Sequence, residues 1–204
     1  MEDNDNKMLT MASLFDGIGG FPLAAVRNGI VPVWASEIEP FPIRVTEHHF
    51  PDMVHLGDIT KLDGAELPPV DIICGGSPCQ DLSVASPSRC GLAGERSGLF
   101  MHQIRIIKEM RDADKKRRRT GLAVRPRLAA WENVPGVYSS GVPPGSDFQQ
   151  VLQAFLSIEE PDLDVVRPPS GRWESAGAVL GVRSCVAWTT WSAEYFGVPQ
   201  RRRR

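Results

Sequence analysis

Short apolar runs alternate with amphipathic stretches along the first part of the chain. The runs MASLF, VPVWAS and VDIICGG are separated by GGFPLAAVRNG and PFPIRVTEHHF, whose apolar positions recur at helical intervals. Apolar runs of this length, bounded by Gly, Pro and Asn, are typical of buried strands. Strands and helices in alternation are typical of βαβ units. The pattern therefore predicts an α/β fold with a mostly parallel sheet and helices on both faces.

The second half of the chain continues the pattern with longer elements. Apolar residues at mostly helical intervals predict an amphipathic helix over Gly98–Arg119, with Gly121 as its stop. After it, RLAAWENV predicts a buried strand, DFQQVLQAFLSI a helix with Asp147 as N-cap, and SCVAWTTWSA a long strand. The intervening EEPDLDVVRPPSGRWESAG is rich in Pro and Gly, which favour loops.

Composition indicates the class of protein and its domain organisation. The 204 residues are 42% apolar and 24% charged, as expected of a globular chain with one sizeable core. The acidic start, residues 1–8, predicts a disordered tail, and residues 9–204 form one domain. Because no apolar run is long enough for a membrane span and no positively charged signal opens the chain, we expect a cytoplasmic protein.

The end, GVPQRRRR, is typical of a loop that leads into another strand, so we expect the domain to be incomplete there.

The cysteines indicate neither a disulfide nor a metal site, because they show no zinc-ligand spacing and cytosolic thiols stay reduced. Cys74, in an apolar strand, and Cys185 are interpreted as small buried hydrophobic residues. Cys79 differs because GGSPCQ places it in a loop just beyond the strand VDIIC, at the sheet edge where open α/β folds bind ligands. Cys79 is therefore the candidate nucleophile.

A glycine-rich turn follows the first predicted strand, in SLFDGIGGF. Glycines at such a strand-to-helix turn let the backbone approach a nucleotide-like ligand, although a tight turn without a ligand is the alternative. Phe21 and Pro22 stand where a dinucleotide fingerprint has its third glycine, which disfavours a nicotinamide or flavin cofactor.

Three acidic residues are further candidates for ligand binding or catalysis. Glu37 follows the second strand, where an acid typically binds a ribose diol, and Glu39 is its rival. Asp58 follows a short third strand, where it suits either an exocyclic adenine amine or a helix N-cap. Glu132, in WENVPG, emerges from an apolar strand and is costly to desolvate without a task or a partner. The basic stretch Lys115–Arg127 is interpreted as a solvated helix end.

In this order, FDGIGGF, SEIEP, GDIT, GGSPCQDLS, ERSGLF, ENVPGV and FGVPQRRRR resemble the DNA cytosine-5 methyltransferase family, most closely its bacterial and phage members. The resemblance implies a Rossmann-like fold that binds S-adenosylmethionine. The donor-binding residues that it implies are Phe15, Asp16, Gly17, Gly19, Glu37, Ile38, Asp58, Ile59, Pro78 and Leu99. No metal is implied.

The resemblance also implies a mechanism. Cys79 adds to C6 of a cytosine extruded from duplex DNA, Glu132 holds the N3 and N4 edge, and Arg202 or Arg204 holds the base O2 or a nearby phosphate. The loop Asp81–Glu95 suits a mobile lid.

Target recognition is expected from a further segment or a second chain, so the isolated chain is expected to be weakly active or inactive. An RNA cytosine-5 methyltransferase and a non-catalytic donor-binding or DNA-binding remnant are the alternatives. The role, restriction protection or phage self-modification, stays open.

Overall fold

The computed structural model describes residues 8–77 and 98–204, which divide into two compact units. The described part of the first unit comprises residues 8–77 and 105–131, and that of the second comprises residues 98–104 and 132–204. Within these ranges, no helix is long and apolar enough to cross a membrane.

A parallel sheet forms the centre of the first unit. Its strands are β1 (Thr10–Leu14), β2 (Val31–Ser36), β3 (Val54–His55), β4 (Ile72–Gly75) and β5 (Leu128–Trp131), in the order β3-β2-β1-β4-β5. The helices are α1 (Gly20–Arg27), α2 (Pro40–His49) and the part of α3 (Gly98–Lys116) from residue 105 onward. Right-handed crossovers place α1 and α2 on one face and α3 on the other. The predicted α/β fold is confirmed, and the order reverses between β1 and β4, where such sheets bind ligands at the carboxyl ends of their strands.

The first strand lies at the centre of the core because both of its neighbours pair with it in parallel. Ala12 and Leu14 of β1, Trp34 of β2 and Ile73 of β4 are all fully buried. At the amino-terminal end of β1, the Asp71 carboxylate accepts hydrogen bonds from the backbone N–H of Thr10 at 3.0 Å and from the Thr10 hydroxyl at 2.9 Å. These bonds set where β1 and β4 begin.

The fifth strand was predicted to be buried, and this prediction is wrong. Leu128 is 59% exposed, and Ala129 and Ala130 are exposed as well. The strand forms where LAAW predicts it, but it lies at one edge of the sheet that the structure describes. Apolar composition therefore predicted the strand and not its burial.

The helix α3 ends at Lys116, before the predicted stop at Gly121. Arg118 adopts a φ of 66°, the left-handed conformation that commonly ends a helix, and Gly121 instead begins a short 3₁₀ turn. Contacts of arginines that follow the helix hold its end in place.

Three arginines converge on the buried carboxylate of Asp114. Arg117 and Arg125 lie 3.3 and 3.2 Å from it, and Arg119 lies 3.8 Å away. Burial would raise the pKa of Asp114, but hydrogen bonds and charge from Arg125, with a further bond from Arg117, outweigh burial and lower it. Part of the basic stretch Lys115–Arg127 therefore holds the fold together, whereas sequence analysis treated the whole stretch as solvated.

The second unit combines a helix with a two-stranded antiparallel sheet. Its elements are α4 (Ser146–Leu156), β6 (Ala176–Leu180) and β7 (Cys185–Thr189). The strand β6 was not predicted, because its sequence, AGAVL, follows a loop-like stretch and three of its five residues are exposed. The ring of Phe148 contacts those of Tyr138, Trp173 and Trp188 edge to face, with centroids 4.8 to 5.4 Å apart.

Two residue predictions fail in this unit. Gly145, with φ of 81°, is the N-cap of α4, and Asp147 lies buried in the first turn instead. Cys185 is exposed, because it begins a strand whose residues alternate between exposed and half-buried positions. Cys74 is buried, as predicted.

The Glu160 carboxylate holds the turn that joins β6 and β7. It accepts hydrogen bonds from the Val182 and Arg183 N–H groups at 2.7 and 3.0 Å and from the Ser184 hydroxyl at 2.7 Å. The Ser184 bond is the main cause that lowers the pKa of Glu160. The charged form is therefore the one that organises the turn.

Candidate functional site

The turn after β1 begins with two residues in the left-handed conformation. Phe15 has φ of 54° and Gly17 has φ of 55°. A left-handed Phe is uncommon and stores strain that the surrounding structure must offset. A Cβ atom at Gly17 would meet no atom of residues 8–77 or 98–204 within 4 Å, so these residues leave the turn open to a ligand on that side.

Gly19 is required for a different reason. A Cβ atom there would lie 2.8 Å from Thr46 Cγ2 and 2.9 Å from Phe50 Cε2. The α2 segment thus packs directly on the Gly19 backbone. Helix packing is therefore one reason for glycine at position 19, and the predicted approach of a ligand to Gly17 and Gly19 stays a prediction.

Glu37 is tied to the turn by its carboxylate. One oxygen accepts the Gly17 N–H at 2.8 Å, and the other accepts the Ile38 and Glu39 N–H groups at 2.7 and 3.0 Å. These bonds hold the carboxylate at the carboxyl end of β2, beside the turn. Glu39 instead occupies the N-cap position of α2 without a side-chain capping bond. Of the two rivals, Glu37 is the acid at the turn.

Asp16 is the most buried acid of the turn, at 5% exposure. Its Oδ1 accepts the Ser13 hydroxyl at 2.5 Å, and its Oδ2 is buried without a hydrogen-bond partner. Burial raises its pKa to about 6, the Ser13 bond opposes this rise, and the Glu37 charge adds to it. A buried carboxyl group whose pKa is raised in this way is a functional candidate.

Asp58 acts as an N-cap, the second of its two predicted roles. Its Oδ1 accepts the Thr60 N–H at 2.9 Å and the Thr60 hydroxyl at 2.8 Å, at the start of a 3₁₀ turn. Ile59 is buried, and its carbonyl accepts a 3.0 Å bond from Arg105. The segment after β3 is therefore rigidly placed.

Glu132 follows β5 directly and has a partner that sequence analysis did not assign. The Arg204 guanidinium lies 2.6 Å from its carboxylate, and both side chains are part-exposed. Arg204 exchanges backbone hydrogen bonds with Trp191 at 2.8 and 2.9 Å. Arg202 bonds to Ala193 through its backbone carbonyl and is exposed. Between the two predicted arginines, the structure brings Arg204 to Glu132.

Two of the predicted site residues, Pro78 and Cys79, lie outside the described residues, as does the loop Asp81–Glu95. The last described residue before them, Ser77, is buried, and its hydroxyl accepts the Trp131 indole N–H at 2.9 Å. This bond ties the carboxyl ends of β4 and β5, and sequence analysis missed it. Leu99 lies half-buried in the first turn of α3.

Burial raises the pKa of the Cys74 thiol to about 11, so it stays protonated and unreactive at neutral pH.

The sheet order β3-β2-β1-β4-β5 is that of a Rossmann-like fold. A DNA modification methyltransferase encoded within an Escherichia coli prophage has the same fold. Its crystal structure superposes with a TM-score of 0.54 at 24% identity, over 84% of this chain and 41% of that one. The model of the C-5 cytosine-specific DNA methylase family matches residues 9–159. The chain therefore belongs to that family.

Curated relatives of the chain are also named as methyltransferases. A DNA N-6-adenine-methyltransferase of Escherichia phage P1 is 33% identical over 219 residues, which cover 97% of this chain and 28% of that protein. The Type II methyltransferase M1.ScrFI of Lactococcus lactis subsp. cremoris is 40% identical over 165 residues, 80% of this chain and 37% of that protein. The chain thus spans well under half the length of these relatives.

Proposed function

We propose that this chain binds S-adenosylmethionine and activates a cytosine of DNA for methylation at C5. The proposal rests on the family match, whose range includes the motifs of both Cys79 and Glu132. The observation that carries it is the Gly17–Glu37 bond, which prepares a ligand-binding turn at the switch point of the sheet.

The residues around this turn fit the donor. Gly17 leaves open space for close approach, and Asp16 holds a buried oxygen without a partner. Glu37 uses three of the roughly four acceptor positions of a carboxylate, which leaves one for a ribose hydroxyl. When bound, the donor supplies an electrophilic methyl group on a positively charged sulfur.

We assign the remaining donor contacts by the family resemblance. Phe15 packs on the adenine ring, and the backbone around Ile38 lines the ribose. Asp58 and the Ile59 backbone bind the adenine edge. Pro78 and Leu99 border the donor near the base, and Gly19 keeps the turn in place through α2.

Cytosine C5 is a weak nucleophile, and covalent catalysis solves this problem. The Cys79 thiolate forms a bond to C6, and the electron pair of the C5–C6 double bond shifts toward C4 and N3. Glu132 binds the N3 and N4 edge and favours protonation of N3, which neutralises the charge and leaves C5 as the nucleophilic carbon of an enamine. After C5 has gained the methyl group, a base removes the C5 proton, the S–C6 bond breaks, and the thiolate leaves.

The Glu132–Arg204 ion pair supports this step. A charge-assisted bond of 2.6 Å fixes the orientation of the carboxylate before the base arrives. The base must leave the duplex to reach these groups. Exposed guanidiniums such as that of Arg202 suit the phosphates that flank an extruded nucleotide.

Adenine N6 methylation is the second candidate, because the phage P1 relative carries that name. The alignment covers only 28% of that protein, so its named activity need not reside in the aligned part. An exocyclic amine also needs no covalent activation, which leaves Cys79 without a task. Analysis of the methylated nucleoside after digestion separates 5-methylcytosine from N6-methyladenine.

The test is covalent trapping with duplex DNA that contains 5-fluorocytosine, in the presence of S-adenosylmethionine. Fluorine at C5 blocks proton loss, so the S–C6 bond persists and denaturing mass spectrometry detects the adduct. We expect an adduct with the wild type and none with Cys79→Ser.

Cys185→Ser is the matched control, because Cys185 is exposed and has no role in the mechanism. An adduct that survives in Cys79→Ser, or disappears in Cys185→Ser, would contradict the assignment of the nucleophile. A fluorinated tRNA substrate, run in parallel, tests the RNA alternative.

A further inference from the structure

Two acidic side chains converge on one turn of the first unit. Asp16 lies at the end of β1, and Glu37, at the end of β2, binds the N–H of the very next residue, Gly17. The Asp16 backbone N–H is itself bonded to the Ser36 carbonyl at 3.2 Å, which brings the two strand ends together. The turn therefore concentrates negative charge at the switch point.

The Asp16 carboxylate is only half satisfied. Oδ1 accepts one bond from Ser13, and Oδ2 is buried without a hydrogen-bond donor among the residues that the structure describes. A buried carboxylate normally has several donors or a cation, because desolvation is expensive. Because few donors bind the Asp16 carboxylate and it lies at the proposed ligand site, the ligand is the expected source of the positive charge that compensates it.

The neighbouring elements supply no cation to Asp16 among the described residues. From β2 it faces Glu37, which adds negative charge. From β4, Cys74 lies in register with Ser13 and stays a neutral thiol. The only charged residue of α1, Arg27, lies in its last turn, and α2 contacts the turn through Thr46 and Phe50.

We propose that Asp16 is a specificity-determining residue that makes the site prefer the positively charged methyl donor to its demethylated product. This inference rests on the proposed function. The donor carries a sulfonium ion, whereas the product, S-adenosylhomocysteine, carries a neutral thioether in its place. Because Oδ2 is enclosed, its charge is weakly screened and acts on the ligand through the field rather than through direct contact.

The proposal has a pH signature. Only the ionised carboxylate attracts the sulfonium ion, and burial raises the pKa of Asp16 to about 6. Below that pH, the donor must drive a proton off Asp16 to gain the attraction. The product has much less to gain from ionisation, so its affinity changes less with pH.

The experiment is isothermal titration calorimetry of the full chain with S-adenosylmethionine and with S-adenosylhomocysteine, at neutral and at mildly acidic pH. For the wild type, we expect donor binding about tenfold weaker near pH 5 than near pH 7.5. For Asp16→Asn, we expect the preference for donor over product to fall about tenfold at neutral pH, and its pH dependence to disappear.

Asp112→Asn is the matched control, because Asp112 is an exposed carboxylate on α3 that lies 4.0 Å from Lys115. It should bind both molecules as the wild type does. If Asp16→Asn keeps the wild-type preference and pH dependence, the inference is overturned while the proposed donor site stands. If the wild type binds neither molecule at either pH, the proposed function fails, and this inference fails with it.

Discussion

Burial and the proposed ligand have opposite effects on the protonation of Asp16. Burial in the folded protein shifts the equilibrium toward its neutral form, because it raises the pKa to about 6. The proposed donor favours its ionised form. Side chains at binding sites often destabilise the fold in this way, and their replacement commonly stabilises the protein while function declines.

We therefore predict that Asp16→Asn raises the free energy of unfolding at neutral pH. Asp16 binds a proton more tightly in the folded state than in the unfolded state, where its pKa is near the ordinary 3.8. Its stabilising contribution is thus fully present below pH 3.8 and is lost as the pH rises through about 6. The amide keeps the shape without the buried charge and gains about 1–3 kcal/mol near pH 7.5.

Urea unfolding followed by tryptophan fluorescence measures this difference, and the gain should shrink near pH 5, where the wild type is largely protonated. Asp112→Asn should match the wild type at both pH values. A variant less stable than the wild type at neutral pH would show that the carboxylate is a structural group.

At the scale of elements, Asp114 makes the opposite contribution. It is fully buried like Asp16, but three guanidiniums and the Arg125 N–H satisfy it. The result is a clamp that joins the end of α3 to the segment that leads into β5. Burial by itself therefore does not determine what a carboxylate does to stability, since the donors around it decide the sign.

We predict that Asp114→Asn lowers the free energy of unfolding by about 1–3 kcal/mol near neutral pH. The lowered pKa of Asp114 means that its contribution is present above the ordinary carboxyl range and is lost as the pH falls through the folded value. The same urea titration, with Asp112→Asn beside it, measures the loss. A loss equal in Asp112→Asn would mean that helix charge in general, and not the clamp, is responsible.

At the scale of the whole molecule, exposed arginines end the chain in the sequence QRRRR. Arg201 is 92% exposed at its side chain, and Arg202 is exposed as well. Guanidiniums of this kind bind phosphates, and phosphate contacts carry no sequence information. We therefore expect this chain, assayed alone, to bind duplex DNA weakly and with little sequence preference.

Fluorescence anisotropy over a range of salt concentrations tests this expectation. The paired change Arg201→Ala and Arg202→Ala should reduce the slope of log K against log salt by about 1–2, because about 0.9 counterions are released per phosphate contact. The charge-matched change Lys116→Ala and Arg118→Ala, at the end of α3, should leave the slope unchanged. Tight binding to one DNA sequence, or an equal loss in both variants, would contradict the expectation.

How much the sequence predicts depends on the range of the interactions involved. The strands β1, β2 and β4 and the helices between them follow from local apolar patterns, and the structure confirms them. Cys74 lies within such a run and is buried, as predicted. The positions of Glu37 and Asp58 after their strands were also predicted, because parallel strands present their carboxyl ends at one edge.

Other features depend on partners that lie far away in the sequence. The burial of β5 was predicted wrongly, because a strand's position within the sheet, at an edge or at the centre, is set by pairing across the whole fold. The exposure of Cys185 was not predicted, because its strand pairs with β6, which forms in a stretch without a local strand signal. The stop of α3 was misplaced because an arginine in left-handed conformation and the Asp114 clamp replace the expected glycine.

The sequence by itself determined the family, the sheet architecture and the candidate donor turn, because these depend on short motifs and local periodicity. Only the tertiary structure decided what individual side chains do. It assigned Gly19 to helix packing, chose Glu37 over Glu39, brought Arg204 to Glu132 and left one oxygen of Asp16 without a donor. Hydrogen bonding and desolvation act between residues that the fold brings together, and the order of residues along the chain does not contain those distances.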